Sequence, residues 1–156
     1  MRGLFALGGM LAVVVLAGCA TTYIPNTDVE DTTENKKVVQ FCEQYRHAVE
    51  DKNIGQLLKM ASGAYHKRGV GNDDDIDYAG LKDFLSSSFQ TTDAIRYEIR
   101  YRRVTFAENA HVYVDYTYAA SYRIPGVEKE EWRHSVADNR LDLVPDGESY
   151  KIIAGM

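Results

Sequence analysis

The chain is expected to fold as an α+β domain, with N-terminal helices packed on a strongly bent antiparallel sheet. Three observations predict it. Apolar residues recur at three- and four-residue steps from Val38 to Phe89. From Ile95 onward they alternate with a period of two. Turn signals such as Pro125-Gly126 and Asp146-Gly147 then separate successive strand-like runs.

The first helix is expected over about Thr33–Asp51, where Val38, Phe41, Cys42, Tyr45 and Val49 make one stripe and Asp31 or Thr33 can cap the start. A short second helix follows. Asn53 and Gln56 form its capping pair, and Ile54, Leu57, Leu58 and Ala61 its apolar stripe. Tyr65 to Asp75 reads as a loop holding Gly69, Gly71 and the run Asp73-Asp74-Asp75. A third helix begins near Asp77, with Leu81, Phe84, Leu85 and Phe89 along its buried edge.

In the first long strand Ile95, Tyr97, Ile99 and Tyr101 alternate with Arg96, Glu98, Arg100 and Arg102, after which Val104 and Phe106 take the apolar role. One extra residue shifts the phase in this way, so a β-bulge is expected near Arg102-Arg103. Glu108-Asn109 is a turn. Val112, Val114, Tyr116, Tyr118 and Tyr122 then share one face of the next strand, opposite His111, Tyr113, Asp115 and Thr117. Trp132, His134 and Val136 continue one face of the third strand, but Leu141 and Leu143 have the other parity, which predicts a second slip between Ala137 and Asn139. After the turn at Pro145-Asp146-Gly147, Tyr150, Ile152 and Ala154 form a last strand. No internal repeat is present.

The N-terminus carries a different message. Arg2 gives a positive start, an uncharged apolar run extends from Gly3 to Ala17, and small residues lead to Cys19. The run is shorter than the roughly 20 residues a membrane-spanning helix needs. Leu16-Ala17-Gly18-Cys19 resembles the lipobox of bacterial lipoproteins. That resemblance implies diacylation of Cys19, cleavage before it, and a membrane anchor through its lipid. With two or more acyl chains such an anchor is firm. Ala20 and Thr21 follow, with no Asp at the second position, which by the same resemblance implies the outer membrane, facing the periplasm. The expected division is a leader over 1–18, the lipidated Cys19 and a flexible tether over 19–34, and one domain over 35–156.

Losing Arg2 with the leader takes the formal charge from −5 to −6. An acidic domain argues against nucleic acid and against electrostatic docking on anionic lipid. With Cys19 lipidated, Cys42 stands alone on a helix face, and a buried small hydrophobe is the favoured reading. Asp73, Asp75 and Asp77 have the spacing that opens a calcium loop, but Tyr78 stands where Gly is required and Phe84 where Glu is required. His47, His66, His111 and His134 have no zinc-ligand spacing, so neither metal nor cofactor is expected.

The helix pair from Val38 to Ala61, the strand series from Ile95, and the closing stretch Arg140-Leu141-Asp142-Leu143-Val144-Pro145-Asp146-Gly147-Glu148-Ser149-Tyr150-Lys151-Ile152-Ile153-Ala154-Gly155-Met156 together resemble the nuclear-transport-factor-2-like superfamily, which includes SnoaL-like and ketosteroid-isomerase-like proteins. The resemblance covers roughly Thr33 to Met156. It implies a cone-shaped fold with a pocket between helices and sheet, and a possible homodimer through the sheet. It fixes no function, because the superfamily holds isomerases, dehydratases and hydrolases beside members that only bind or assemble.

If the more apolar parity of each strand faces the helices, Tyr97, Tyr101, Tyr116, Tyr118, Trp132 and His134 line that pocket, with Tyr45 from the first helix. An isomerase of this kind needs a carboxylate base and a neutral donor converging on one oxygen. Tyr45 and Tyr116 suit the donor role, and His134 is the candidate base because it titrates near neutrality. Asp138 lies about 13 Å further along an extended strand, too far to orient His134, and Asp115 faces away. The bland reading of His134 is a histidine bonded to a strand neighbour; that of the tyrosines is packing. Both are favoured, and no catalytic residue is assigned. The leading expectation is a non-catalytic envelope lipoprotein that binds another envelope protein, with Arg96, Arg100, Tyr113, Asp115 and Arg133 on the exposed face. The alternatives are a pocket binder of a small apolar ligand, or a weak isomerase or hydrolase using His134.

Overall fold

A computed structural model describes residues 21–69, 75–124 and 131–156 of the chain. The leader, Cys19, the Asp73-Asp74 pair and the Pro125-Gly126 turn lie outside the described residues. Helix α1 (Thr33–Glu50) and helix α2 (Ile54–Met60) come first. A short antiparallel pair, β1 (His66–Lys67) and β2 (Ile76–Asp77), leads into helix α3 (Tyr78–Gln90). Strands β3 (Ala94–Phe106), β4 (Val112–Ile124), β5 (Glu131–Asp146) and β6 (Ser149–Ala154) follow, forming one antiparallel sheet in the order β3-β4-β5-β6. The α+β expectation therefore holds, with β1 added inside the expected loop and β2 directly after it. Among the described residues no helix is long and apolar enough to cross a membrane.

Side-chain caps start the helices. Thr32, rather than Asp31 or Thr33, accepts the Asn35 N–H at 3.1 Å; Asn53 accepts that of Gln56 at 3.0 Å; and Asp77 accepts that of Gly80 at 2.9 Å. The apolar stripes turn inward: Val38, Phe41, Cys42 and Tyr45 of α1, Leu57 and Met60 of α2, and Leu81 and Leu85 of α3 are buried against Val112, Val114, Leu141, Leu143 and Ile152 of the sheet. Each fully buried Val or Leu side chain contributes about 1.5–3 kcal/mol relative to exposure.

Both edges of the sheet receive hydrogen bonds from other elements, which shortens the open ladder. At the β3 edge Glu50 Oε1 accepts the Tyr97 N–H at 2.9 Å, Arg46 donates to the Tyr97 carbonyl at 3.2 Å, and the Asp28 N–H donates to the Tyr101 carbonyl at 2.9 Å. At the β6 edge the Ser62 N–H donates to the Ile152 carbonyl at 2.8 Å.

The Asp28 contact corrects the flexible tether. From Thr21 onward the segment folds back on the domain through a Tyr23–Glu30 bridge, and Val29 is buried in the core. Thr27 and Asp28 supply the turn and edge contacts that hold it, and Val29 and Ile24 are its apolar anchors.

The bulge near Arg102-Arg103 is present: the β3–β4 register shifts between Tyr101 and Arg103. The slip expected in β5 between Ala137 and Asn139 is absent. Strand β5 pairs with β4 without a break from Leu143↔Val112 to Glu131↔Ile124.

Candidate functional site

An unbroken β5 fixes which side chains face the helices. Leu141 and Leu143 point inward, so Asn139, Ala137, Ser135 and Arg133 share their face, and Trp132, His134, Val136, Asp138 and Arg140 stand on the other. Trp132 and His134 are thus corrected out of the pocket, while Arg133 has the parity of Leu141 yet is exposed. The apolar pattern changes sides along β5 while the backbone does not slip. His134 is exposed, and its Nδ1 lies 2.8 Å from the hydroxyl of Ser121, its cross-strand partner.

The inward tyrosines meet one another. Tyr45 stands edge-on to Tyr97 with ring centroids 6.4 Å apart, Tyr97 lies 5.5 Å from Tyr118, and Tyr118 lies 6.4 Å from Tyr116. The hydroxyls of Tyr45 and Tyr116 hydrogen-bond to that of Tyr97. Asn139 Nδ2 donates to the Tyr116 hydroxyl at 3.0 Å and to the Gly155 carbonyl at 3.1 Å. Tyr45, Tyr97, Tyr101 and Tyr116 are buried and Tyr118 is half-buried. The polar ends of these rings satisfy each other, which is what stable burial of tyrosine requires. Beside them a cavity of about 420 Å³ lies between α1, β3 and the segment at 24–27, lined among others by Val39, Glu43, Arg46, Ile99 and Tyr101. Asn139 was not singled out from the sequence, because a polar residue between Ala137 and Leu141 reads there as a phase slip.

The nearby carboxylates are engaged. Glu43 accepts the Tyr101 hydroxyl at 2.8 Å and Arg46 Nε at 2.9 Å, while Glu50 accepts Arg46 NH1 at 2.7 Å. Asp115 and Asp138 lie on the outer face. Glu43 and the Tyr101 hydroxyl meet at the cavity beside α1, where Arg46 also holds the carboxylate. No group of three or more metal-ligating side chains occurs among the described residues. Cys42 is buried, and burial pushes its thiol pKa up, away from nucleophilic use.

Burial also raises the pKa of Tyr45, Tyr97, Tyr101 and Tyr116, and pushes Tyr65 up to about 12. A raised folded-state pKa gives a contribution that is intact below the unfolded value of about 10 and is lost as pH rises through the folded values. Urea midpoints are therefore expected to hold up to the unfolded tyrosine value and to fall steeply above it, with absorbance at tyrosinate wavelengths rising together with unfolding. Tyrosinate formation by these buried residues in a still-folded chain would contradict the packed arrangement.

The outer face of the sheet is built differently. Arg96 lies over the Trp132 ring at 5.0 Å, and Arg140 over Tyr113 at 5.3 Å. Asp115 accepts Arg140 Nε at 2.6 Å and Arg103 Nε at 3.3 Å; these two guanidinium groups, Arg140 first, hold its carboxyl below the usual range. Asp28 accepts Arg100 at 2.6 Å and Arg102 at 2.8 Å, which lowers its pKa to about 2. An open groove of about 740 Å³ crosses this face, lined among others by Arg102, Arg103, Asp115, Asp138 and Arg140. Trp132 is 39% exposed and Val136 is 70% exposed.

No family model matches the chain, and no curated protein matches it in sequence. Solved structures share its fold. The Kfla4162 protein of Kribbella flavida superposes with a TM-score of 0.67 at 11% identity, over 79% of this chain and 88% of its own. A protein from Streptomyces avermitilis, of the NTF2-like family and described as a candidate dehydratase, gives 0.67 at 10% identity, over 79% and 94%. A candidate scytalone dehydratase from Novosphingobium aromaticivorans gives 0.64 at 10% identity, over 78% and 80%. At such identities the likeness establishes an NTF2-like fold and nothing about activity.

Proposed function

We propose that this protein is a lipoprotein of the bacterial cell envelope, anchored through Cys19, whose NTF2-like domain docks another envelope protein on the outer face of its sheet and catalyses no reaction. The observation that carries the reading is the unbroken register of β5, which turns Trp132 and Val136 toward solvent. Apolar side chains grouped on a sheet face, with arginines around them, match the composition of protein interfaces, where Trp and Arg are enriched. The packed tyrosine interior supports the same reading. Dehydration chemistry of the kind named for two of the fold neighbours needs an acid and a base around a substrate, and here the half-buried carboxylates Glu43 and Glu50 are bound to Arg46. The leader, the lipobox-like stretch and the absence of Asp after Cys19 support anchoring in the outer membrane.

The test is a crosslinking pull-down of the lipidated protein from intact cells. A specific envelope protein is expected with the native chain, and it should be lost in Cys19→Ala and in Val136→Glu. Recovery that is indifferent to both substitutions, or no specific recovery at all, would remove the reading.

A further inference from the structure

The outer face carries a second layer of organisation beneath its apolar residues. Asp115 is the buried member of a triplet: its side chain is 21% exposed, whereas those of Arg103 and Arg140 are 70% and 56% exposed. Both arginines reach this one carboxylate through Nε. Their terminal nitrogens have no hydrogen-bond partner among the described residues. The carboxylate thus sits below and the two forks stand above it, on the groove of about 740 Å³. The Tyr113 ring supports Arg140 from the side. Arg102 enters the same groove, held by Thr117 at 2.9 Å and by Asp28 at 2.8 Å.

Arg102, Arg103 and Arg140 line this groove with Asp115 and Asp138. Arg102 shares Asp28 with Arg100, so four guanidinium groups stand among three carboxylates in a chain of formal charge −5. Asp138 is further occupied by the Thr117 hydroxyl at 2.6 Å. A guanidinium held by Nε has lost much of its rotamer freedom, yet keeps the paired terminal donors that match a carboxylate. Two of them fixed by one anchor form a pre-organised receptor for carboxylates, since the ordering cost of binding falls when the side chains are already held.

We infer that Arg103 and Arg140, steered by Asp115, form a carboxylate-binding site on the outer face of the sheet, and that its occupant is an acidic segment of the docked protein, rich in Asp and Glu. This rests on the docking reading above. Charge complementarity selects the occupant: guanidinium groups in excess over carboxylates favour an acidic peptide.

The probe is a fluorescein-labelled hexaglutamate peptide, titrated by anisotropy at low ionic strength against the full chain in neutral detergent. Saturable binding is expected, weakened at least tenfold in Arg103→Gln/Arg140→Gln and several-fold in Arg103→Lys/Arg140→Lys, which keeps the charge and removes the forks. Arg68→Gln/Lys82→Gln, an equal charge change at exposed positions elsewhere, should leave binding as it was. No binding, equal weakening by the control pair, or no effect of the Lys pair would overturn the site. So would saturable binding to phosphatidylglycerol vesicles that hexaglutamate does not displace, which would assign the forks to lipid phosphate. The pull-down separates the two proposals. A partner still captured by Arg103→Gln/Arg140→Gln sinks the carboxylate site and leaves docking intact, whereas a native chain that captures nothing removes docking itself.

Discussion

Replacing Gly155 by Ala is expected to destabilise the domain by about 2–6 kcal/mol, the sum of a strained backbone and an overpacked contact at roughly 1–3 kcal/mol each. Gly155 sits at φ +100°, and a Cβ there would lie 2.0 Å from the Arg140 carbonyl oxygen, which is backbone and cannot move aside alone. Its own carbonyl receives Asn139, so the same residue ties the chain end to the tyrosine network. Gly147 provides the comparison: its φ is +61°, but a Cβ there would meet nothing within 4 Å. Gly147→Ala should therefore show only the backbone cost, about 1–2 kcal/mol. Urea unfolding of the two variants measures the difference, and equal effects would contradict the close approach of Gly155 to β5.

The second large effect is expected at Tyr116. Truncation to Ala removes a ring that is 1% exposed and leaves Tyr97 and Asn139 without its hydroxyl, for a loss of about 3–5 kcal/mol. Tyr116→Phe keeps the ring and loses only the hydrogen bonds, at about 1 kcal/mol. The contrast with a ligand pocket is sharp. Residues lining an open functional site are commonly neutral or costly to stability, so their truncation leaves the fold as stable or more so. A Tyr116→Ala chain with an undiminished urea midpoint would mean that the interior holds space for a ligand and that the packed reading is wrong.

The helices were legible because their apolar stripes have one face to bury, and Val38, Phe41, Cys42 and Tyr45 bury it as spaced. The bulge at Arg102-Arg103 was legible for the same kind of reason: the residues on both sides of the phase change, Tyr101 and Val104, pack inward, so only the backbone could have shifted. The same signal in β5 had another cause. Trp132 and Val136 do not pack inward, and their parity differs from that of Leu141 because the buried face changes along the strand. Periodicity alone does not separate a slipped backbone from an exposed apolar face. The error carried Trp132 and His134 into the pocket, and it hid Asn139, whose place beneath Tyr116 follows only from the continuous register. The docked segment from Thr21 to Thr32 escaped for a different reason, since it is held by scattered hydrogen bonds, the Asp28 ion pairs and the apolar side chains of Ile24 and Val29, and so carries no period to read. The arginine pair on Asp115 joins β3, β4 and β5, and it exists only once those strands are in register.

This domain is proposed to work through the outer face of its sheet. That role is tested most directly by placing a photo-crosslinking amino acid at Val136, on that face, and separately at Ser87, exposed on α3, then illuminating living cells. A discrete adduct with another envelope protein is expected from position 136 and none from position 87. An adduct from position 87 with none from position 136 would contradict it and move the working surface to the helical side.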